Sequence, residues 1–97
     1  MPAQAKIEKL EMVCNAVLKE LVDYPDRVVV TSMMGGGGEA AVLTVRVDRS
    51  DYGKVIGKHG RNVDALRVIL EAIAAKHRIR LMLEIDDRND RRASHGG

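Results

Sequence analysis

The sequence predicts an α+β domain in the order helix–strand–strand–helix–turn–helix–strand. Three observations carry that expectation. Apolar residues recur at helical spacing over 4–22 and again over 61–77. Apolar residues recur at every second position over 40–47 and 79–85, the period of a strand, with the alternate positions mostly polar over 79–85 and polar only near the end over 40–47. Between a short helical stretch and the second long one stands a Gly-x-x-Gly, Gly57-Lys58-His59-Gly60.

Taken in order, the first helix carries Ile7, Leu10, Cys14, Val17, Leu18 and Leu21 as its apolar stripe, with Lys6, Glu8, Lys9, Glu11, Lys19 and Glu20 flanking it. Pro25 stops it, because the residue before a proline is pushed to extended angles, and Asp23-Tyr24-Pro25-Asp26 becomes a turn. The β-branched cluster Val28-Val29-Val30-Thr31 predicts a strand over 27–33. Met33 and Met34 read first as strand-end packing and second as adaptable contacts for a partner. Gly35 to Gly38 form a flexible hairpin connection; no Lys-Ser or Lys-Thr and no helix follows, so they do not read as a phosphate loop. In the second strand, Ala41, Leu43, Val45 and Val47 alternate with Val42, Thr44 and Arg46. Asp48 or Ser50 can cap a short helix over about 51–56. The 61–77 helix is expected to bury Val63, Leu66, Ile69, Leu70, Ile73 and Ala74. The last strand buries Ile79, Leu81, Leu83 and Ile85 and leaves Arg80, Met82 and Glu84 wet. From Asp86 the periodicity ends, so residues 1–85 are expected to form the domain and 86–97 a disordered tail.

Composition limits what such a domain can do. Ninety-seven residues make one domain with a small core, and with no Phe or Trp that core is aliphatic. Two tyrosines, Tyr24 and Tyr52, cannot supply the aromatic platforms on which RRM and OB-fold modules stack bases. Net charge is only +2, but it is unevenly placed: −1 over residues 1–50, +4 over 51–81 and −1 over 82–97. The excess lies on the segment that holds the Gly-x-x-Gly, as expected for a local anionic ligand. Cys14, the only cysteine, excludes an internal disulfide and falls on an apolar helical stripe. His59, His77 and His95 have no metal-ligand spacing, and no nucleophile–base pair can be assembled, so neither an enzyme nor a metal or cofactor site is expected. No apolar run approaches the ~20 residues needed to span a bilayer, and the charged N-terminus is unlike a signal peptide; a cytoplasmic protein is the expectation.

The Gly-x-x-Gly has a physical use. Glycine lets another backbone approach closely. The helix that begins near Arg61 turns its free N–H groups and positive dipole end toward the loop, where a phosphate can sit beside Lys58 and His59. The run Val55-Ile56-Gly57-Lys58-His59-Gly60, with Val63 following, resembles the KH-domain signature, and the element order resembles the type II topology. The Tyr24-Pro25-Asp26 turn and the stretch Tyr52 to Arg61 look most like small bacterial single-KH proteins of the KhpA type.

That resemblance implies a three-stranded mixed sheet with the helices on one face, and a loop that clamps the backbone of single-stranded RNA. Gly57 and Gly60 would let backbone meet backbone, and Lys58 and His59 would meet phosphates as point charge and donor. Lys54, Arg61 and Arg67 would line the same edge, each as readily a plain solvated residue. Val55, Ile56, Val63 and Thr44 would supply a shallow apolar floor for bases. The resemblance further implies post-transcriptional regulation or RNA chaperoning. It leaves open pairing with a larger Jag-type KH protein in cell-envelope or division control and a ribosome-assembly role. Asn62 stands where the resemblance implies an apolar residue, so only weak self-association is expected through that helix.

Overall fold

The computed structural model describes residues 3–86. Helix α1 (Ala3–Leu21) is followed by a 3₁₀ turn at Pro25–Arg27, then strands β1 (Val29–Gly35) and β2 (Ala40–Arg46). A 3₁₀ turn at Arg49–Asp51 leads into the short helix α2 (Tyr52–Ile56), the Gly-x-x-Gly loop, helix α3 (Arg61–Lys76) and strand β3 (Arg80–Ile85). The sheet order is β1-β2-β3, with β1 antiparallel and β3 parallel to the central β2. This is the mixed three-stranded sheet that the resemblance implied. Residues 87–97, most of the expected tail, lie outside the described residues. Asp86 is held: its N–H donates to the Val45 carbonyl (2.7 Å), and its carboxylate pairs with Arg46.

The helices cover one face, α1 over β1 and α3 over β3. Between the layers, Leu43 and Val45 of β2 meet Ile7, Leu10, Cys14 and Leu18 of α1 and Leu70 of α3 in one aliphatic cluster. Each fully buried leucine of that cluster is worth about 1.5–3 kcal/mol relative to exposure. Burial pushes the Cys14 thiol up to about 12, so it packs as a small apolar side chain.

Chain reversals set the register. The β1–β2 connection turns through left-handed glycines, and Gly38 lies so close to α1 that a Cβ there would stand 2.6 Å from that of Ala3. Helix α3 stops with Arg78 in the left-handed region (φ 59°), where the Ile79 N–H reaches back to the Ala74 carbonyl (2.9 Å) and turns the chain into β3.

Several expected positions move. The first strand begins at Val29 rather than Arg27, because the 3₁₀ turn after Pro25 consumes Asp26 and Arg27 and Val28 becomes its cap. The strand extends to Gly35 because the whole of Ala40–Arg46 pairs with it. The helical stripes are narrower than their apolar residues. Val17 and Leu21 of α1 and Ile69 of α3, expected in the core, are 40%, 38% and 55% exposed. These three side chains line an open groove between α1 and α3, on the seam between the two helices, and so face solvent. Met33 and Met34 are both exposed at the end of β1 rather than packed: Met33 stands with Val42 on the sheet face that no helix covers, and Met34, opposite Ala41 on the helix side, borders a surface recess beside Ala3 and the glycine turn.

Candidate nucleic-acid interface

The loop is shaped by two glycines and one histidine in left-handed geometry. Gly57 has φ 78° and ψ 169°, His59 φ 58° and Gly60 φ 74°. His59 is among the residue types that tolerate this region, whereas Gly57 has no alternative. A Cβ on Gly57 would lie 2.6 Å from Asn62 Cγ and 2.8 Å from the Asn62 backbone nitrogen. The Gly57 N–H closes α2 onto the Gly53 carbonyl (2.8 Å), and the Gly60 N–H returns to the Gly57 carbonyl (3.0 Å). Helix α3 starts directly after Gly60 with no side-chain cap. Its first N–H groups therefore have no partner within the helix and carry its positive end.

Around that turn, Lys58, His59 and Arg61 are exposed and Ile56, Gly57, Gly60 and Asn62 are half-buried. The fold thus brings together the basic and glycine residues expected at the loop. Val55 and Val63 are core residues, 1% and 8% exposed, so Ile56 is the apolar side chain beside the loop with surface to offer. Thr44 lies in mid-β2 opposite Thr31 and beside Glu84, on the sheet face away from the helices. Two expected edge cations are engaged. Arg67 pairs with Asp64 one turn earlier (3.0 Å). Lys54 Nζ lies 3.1 Å from Asp23 and 3.8 Å from Asp51. Its hydrogen bond to Asp23, then the charges of Asp23 and Asp51, hold its pKa above the ordinary lysine value.

Two supporting residues escaped the sequence reading. Asp51 is fully buried, the one charged side chain in the described core. Its Oδ1 accepts the Asp23 N–H and its Oδ2 the Tyr24 N–H, both at 3.0 Å, so one carboxylate ties the end of α1 to the start of α2. Asn62 donates from Nδ2 to the Lys54 carbonyl (2.8 Å), joining the last turn of α2 to the first turn of α3 across Gly57. Together they fix both helices that frame the loop. Among the described residues no group of three or more His, Cys, Asp or Glu could hold a metal ion, and no helix is long and apolar enough to cross a membrane.

Comparison with known proteins agrees with this geometry. The sequence profile of the family described as KhpA/KhpB, KH domain, matches residues 11–85. A protein of Aquifex aeolicus named RNA-binding protein KhpA is 46% identical over 76 residues, covering 78% of this chain and 94% of its own. Proteins of the same name from Treponema pallidum and Clostridium acetobutylicum are 48% identical over 71 residues and 37% over 76. Those matches cover 73% and 78% of this chain, and 86% and 99% of the relatives. No solved structure matches the chain. With its strand order and its helix–Gly-x-x-Gly–helix corner, this chain belongs to the KhpA/KhpB family of KH domains.

Proposed function

We propose that the chain is a non-catalytic module that grips the sugar–phosphate backbone of single-stranded RNA at the Gly57–Gly60 loop. The observation that carries this reading is the start of α3, which has no side-chain cap and turns its positive end toward the exposed Lys58 and His59, although the Arg61 N–H is already given to the Lys58 carbonyl. Fixed N–H groups and a helix dipole favour an anion, and two basic side chains add to that field. Arg61 takes the next phosphate, and Ile56 gives a base an apolar surface. Lys54 and Arg67 contribute only by releasing Asp23 and Asp64. Grip through backbone rather than base edges gives broad sequence tolerance, which suits post-transcriptional regulation or RNA chaperoning in the cytoplasm. The relatives named RNA-binding protein KhpA support the ligand class. The test is crosslinking in cells with recovery of bound RNA, for the wild type and for Lys58→Ala. A yield that the substitution leaves unchanged would remove Lys58 from the site.

A second reading has its own observation. Val17 and Leu21 of α1 and Ala65, Leu66 and Ile69 of α3 line a shallow apolar groove with Asn62 at its edge. Such a surface favours protein pairing, and a larger Jag-type KH protein is the partner that this reading names. Self-association through the same helix is expected to be weak, because Asn62 and the exposed Asp64 place polar groups there. Sedimentation velocity at micromolar concentration should show mostly monomer; a tight dimer centred on Asn62 would contradict it.

A further inference from the structure

Apart from the loop, three arginines from separate elements meet in one cleft. Arg46 ends β2, Arg49 opens the turn into α2, and Arg27 comes from the turn after α1. With Val47 and Asp48 they line a surface cleft of about 390 Å³. Among the described residues two carboxylates stand with them, and both are committed. Asp86 accepts from Arg46 Nε and Nη2 through the single oxygen Oδ2 (3.3 and 3.2 Å), which leaves the Arg46 Nη1 group outside that pair. Asp48 spends Oδ2 on the Ser50 N–H and hydroxyl and reaches Arg27 through Oδ1 only at 3.9 Å. The hydrogen bonds from Ser50 are the leading cause of its lowered pKa, ahead of the charges of Arg27 and Arg49. Among the described residues no carboxylate lies within ion-pair distance of Arg49. Three exposed guanidinium residues thus share a cleft in which Asp48 is held chiefly by Ser50, and the positive surplus favours an anion.

We propose that this cleft is a second phosphate-binding subsite, which takes the backbone of a single-stranded RNA already held at the Gly57–Gly60 loop. Guanidinium groups match phosphate geometry with two parallel donors, and their weak hydration makes the exchange of water for phosphate cheap. The path is short. The 3₁₀ turn and α2 that separate Arg49 from Gly57 span at most about 14 Å. Even at a stacked rise of ~3.4 Å per nucleotide, about four more nucleotides cover that distance beyond the four that such a loop clamps. The inference rests on the RNA reading of the loop, and it sets a footprint longer than the loop alone.

The test compares oligouridines of four and twelve nucleotides by fluorescence anisotropy, across a salt series, with a thermal melt of every protein. The variant is Arg27→Gln with Arg49→Gln; Arg46 is kept because it holds Asp86. The variant is expected to bind the twelve-mer about tenfold more weakly and the four-mer as the wild type does. Its log K against log salt slope for the twelve-mer should fall by about 1.4, at ~0.7 per lost phosphate contact on a single strand. An unchanged twelve-mer affinity and slope would overturn the subsite. So would an equal loss on both oligomers with a lowered melting temperature, which marks a structural role. The loop variant Lys58→Asp with His59→Asp separates the two readings. If it binds both oligomers like the wild type while the arginine variant loses the twelve-mer, the loop reading fails and the second-subsite role falls with it, leaving the cleft as an RNA contact in its own right. A wild type that bound neither oligomer would remove both.

Discussion

Replacing Lys58 and His59 together by aspartate is expected to abolish binding of short single-stranded RNA while the domain stays folded. Both side chains are exposed and neither makes a hydrogen bond or ion pair among the described contacts, so the folding cost should stay within about ±0.5 kcal/mol per site. Position 59 has φ 58°, and aspartate tolerates the left-handed region about as histidine does, so the loop path should survive. Binding suffers far more, because two positive or donor groups become two negative ones facing phosphate at the positive end of α3. The loss should be similar for different RNA sequences, and wild-type affinity should weaken with salt. With about four nucleotides gripped, the starting affinity should lie near the ~10⁻⁴–10⁻⁶ M of non-specific contacts. Fluorescence anisotropy and thermal melts of both proteins check this. A folded double variant that binds like the wild type would give the lead to the protein-pairing reading.

Asp51→Ala is expected to be the most damaging substitution outside the aliphatic core. The carboxylate is fully buried, and its removal strands the Asp23 and Tyr24 N–H groups that it now accepts, at about 1–3 kcal/mol for each donor left unpaired. A loss of about 3 kcal/mol is a large part of the roughly 5–15 kcal/mol that stabilises a domain. Lys54 also loses one of its two carboxylate partners. Asp51→Asn keeps one acceptor oxygen and should cost less. Urea unfolding read by circular dichroism gives both numbers; a cost below about 1 kcal/mol for the alanine variant would contradict the role assigned to this carboxylate. Because Asp51 also ties the start of α2 to the end of α1, RNA affinity should fall in the asparagine variant even where it remains folded.

Element order and the loop were legible because they rest on local rules. Helical and strand periods differ, Pro25 breaks a helix, and a Gly-x-x-Gly before an apolar stripe admits few geometries. What escaped depends on where elements meet. Val17, Leu21 and Ile69 continue the helical stripes in sequence, but where α1 and α3 meet they line an open groove rather than the core. The run Asp48-Arg49-Ser50-Asp51 reads as a polar turn, and nothing local marks the last carboxylate as buried under backbone amides 27 and 28 residues away. Asn62 read as a polar interruption of a helix face. Its partner is the Lys54 carbonyl across the loop, a contact that exists only once α2 and α3 fold back on each other. The cleft of Arg27, Arg46 and Arg49 was hidden in the same way, since those residues belong to a half of the chain with net charge −1.

The central claim is that RNA backbone is held at the start of α3. It is tested most directly by titrating isotopically labelled protein with a short single-stranded RNA and following its backbone amides by NMR. The account predicts the largest shifts at Gly57, Lys58, His59, Gly60, Arg61 and Asn62, with small changes along the apolar groove of Val17, Leu21 and Ile69. Shifts concentrated in that groove, with the loop amides unmoved at saturation, would contradict it.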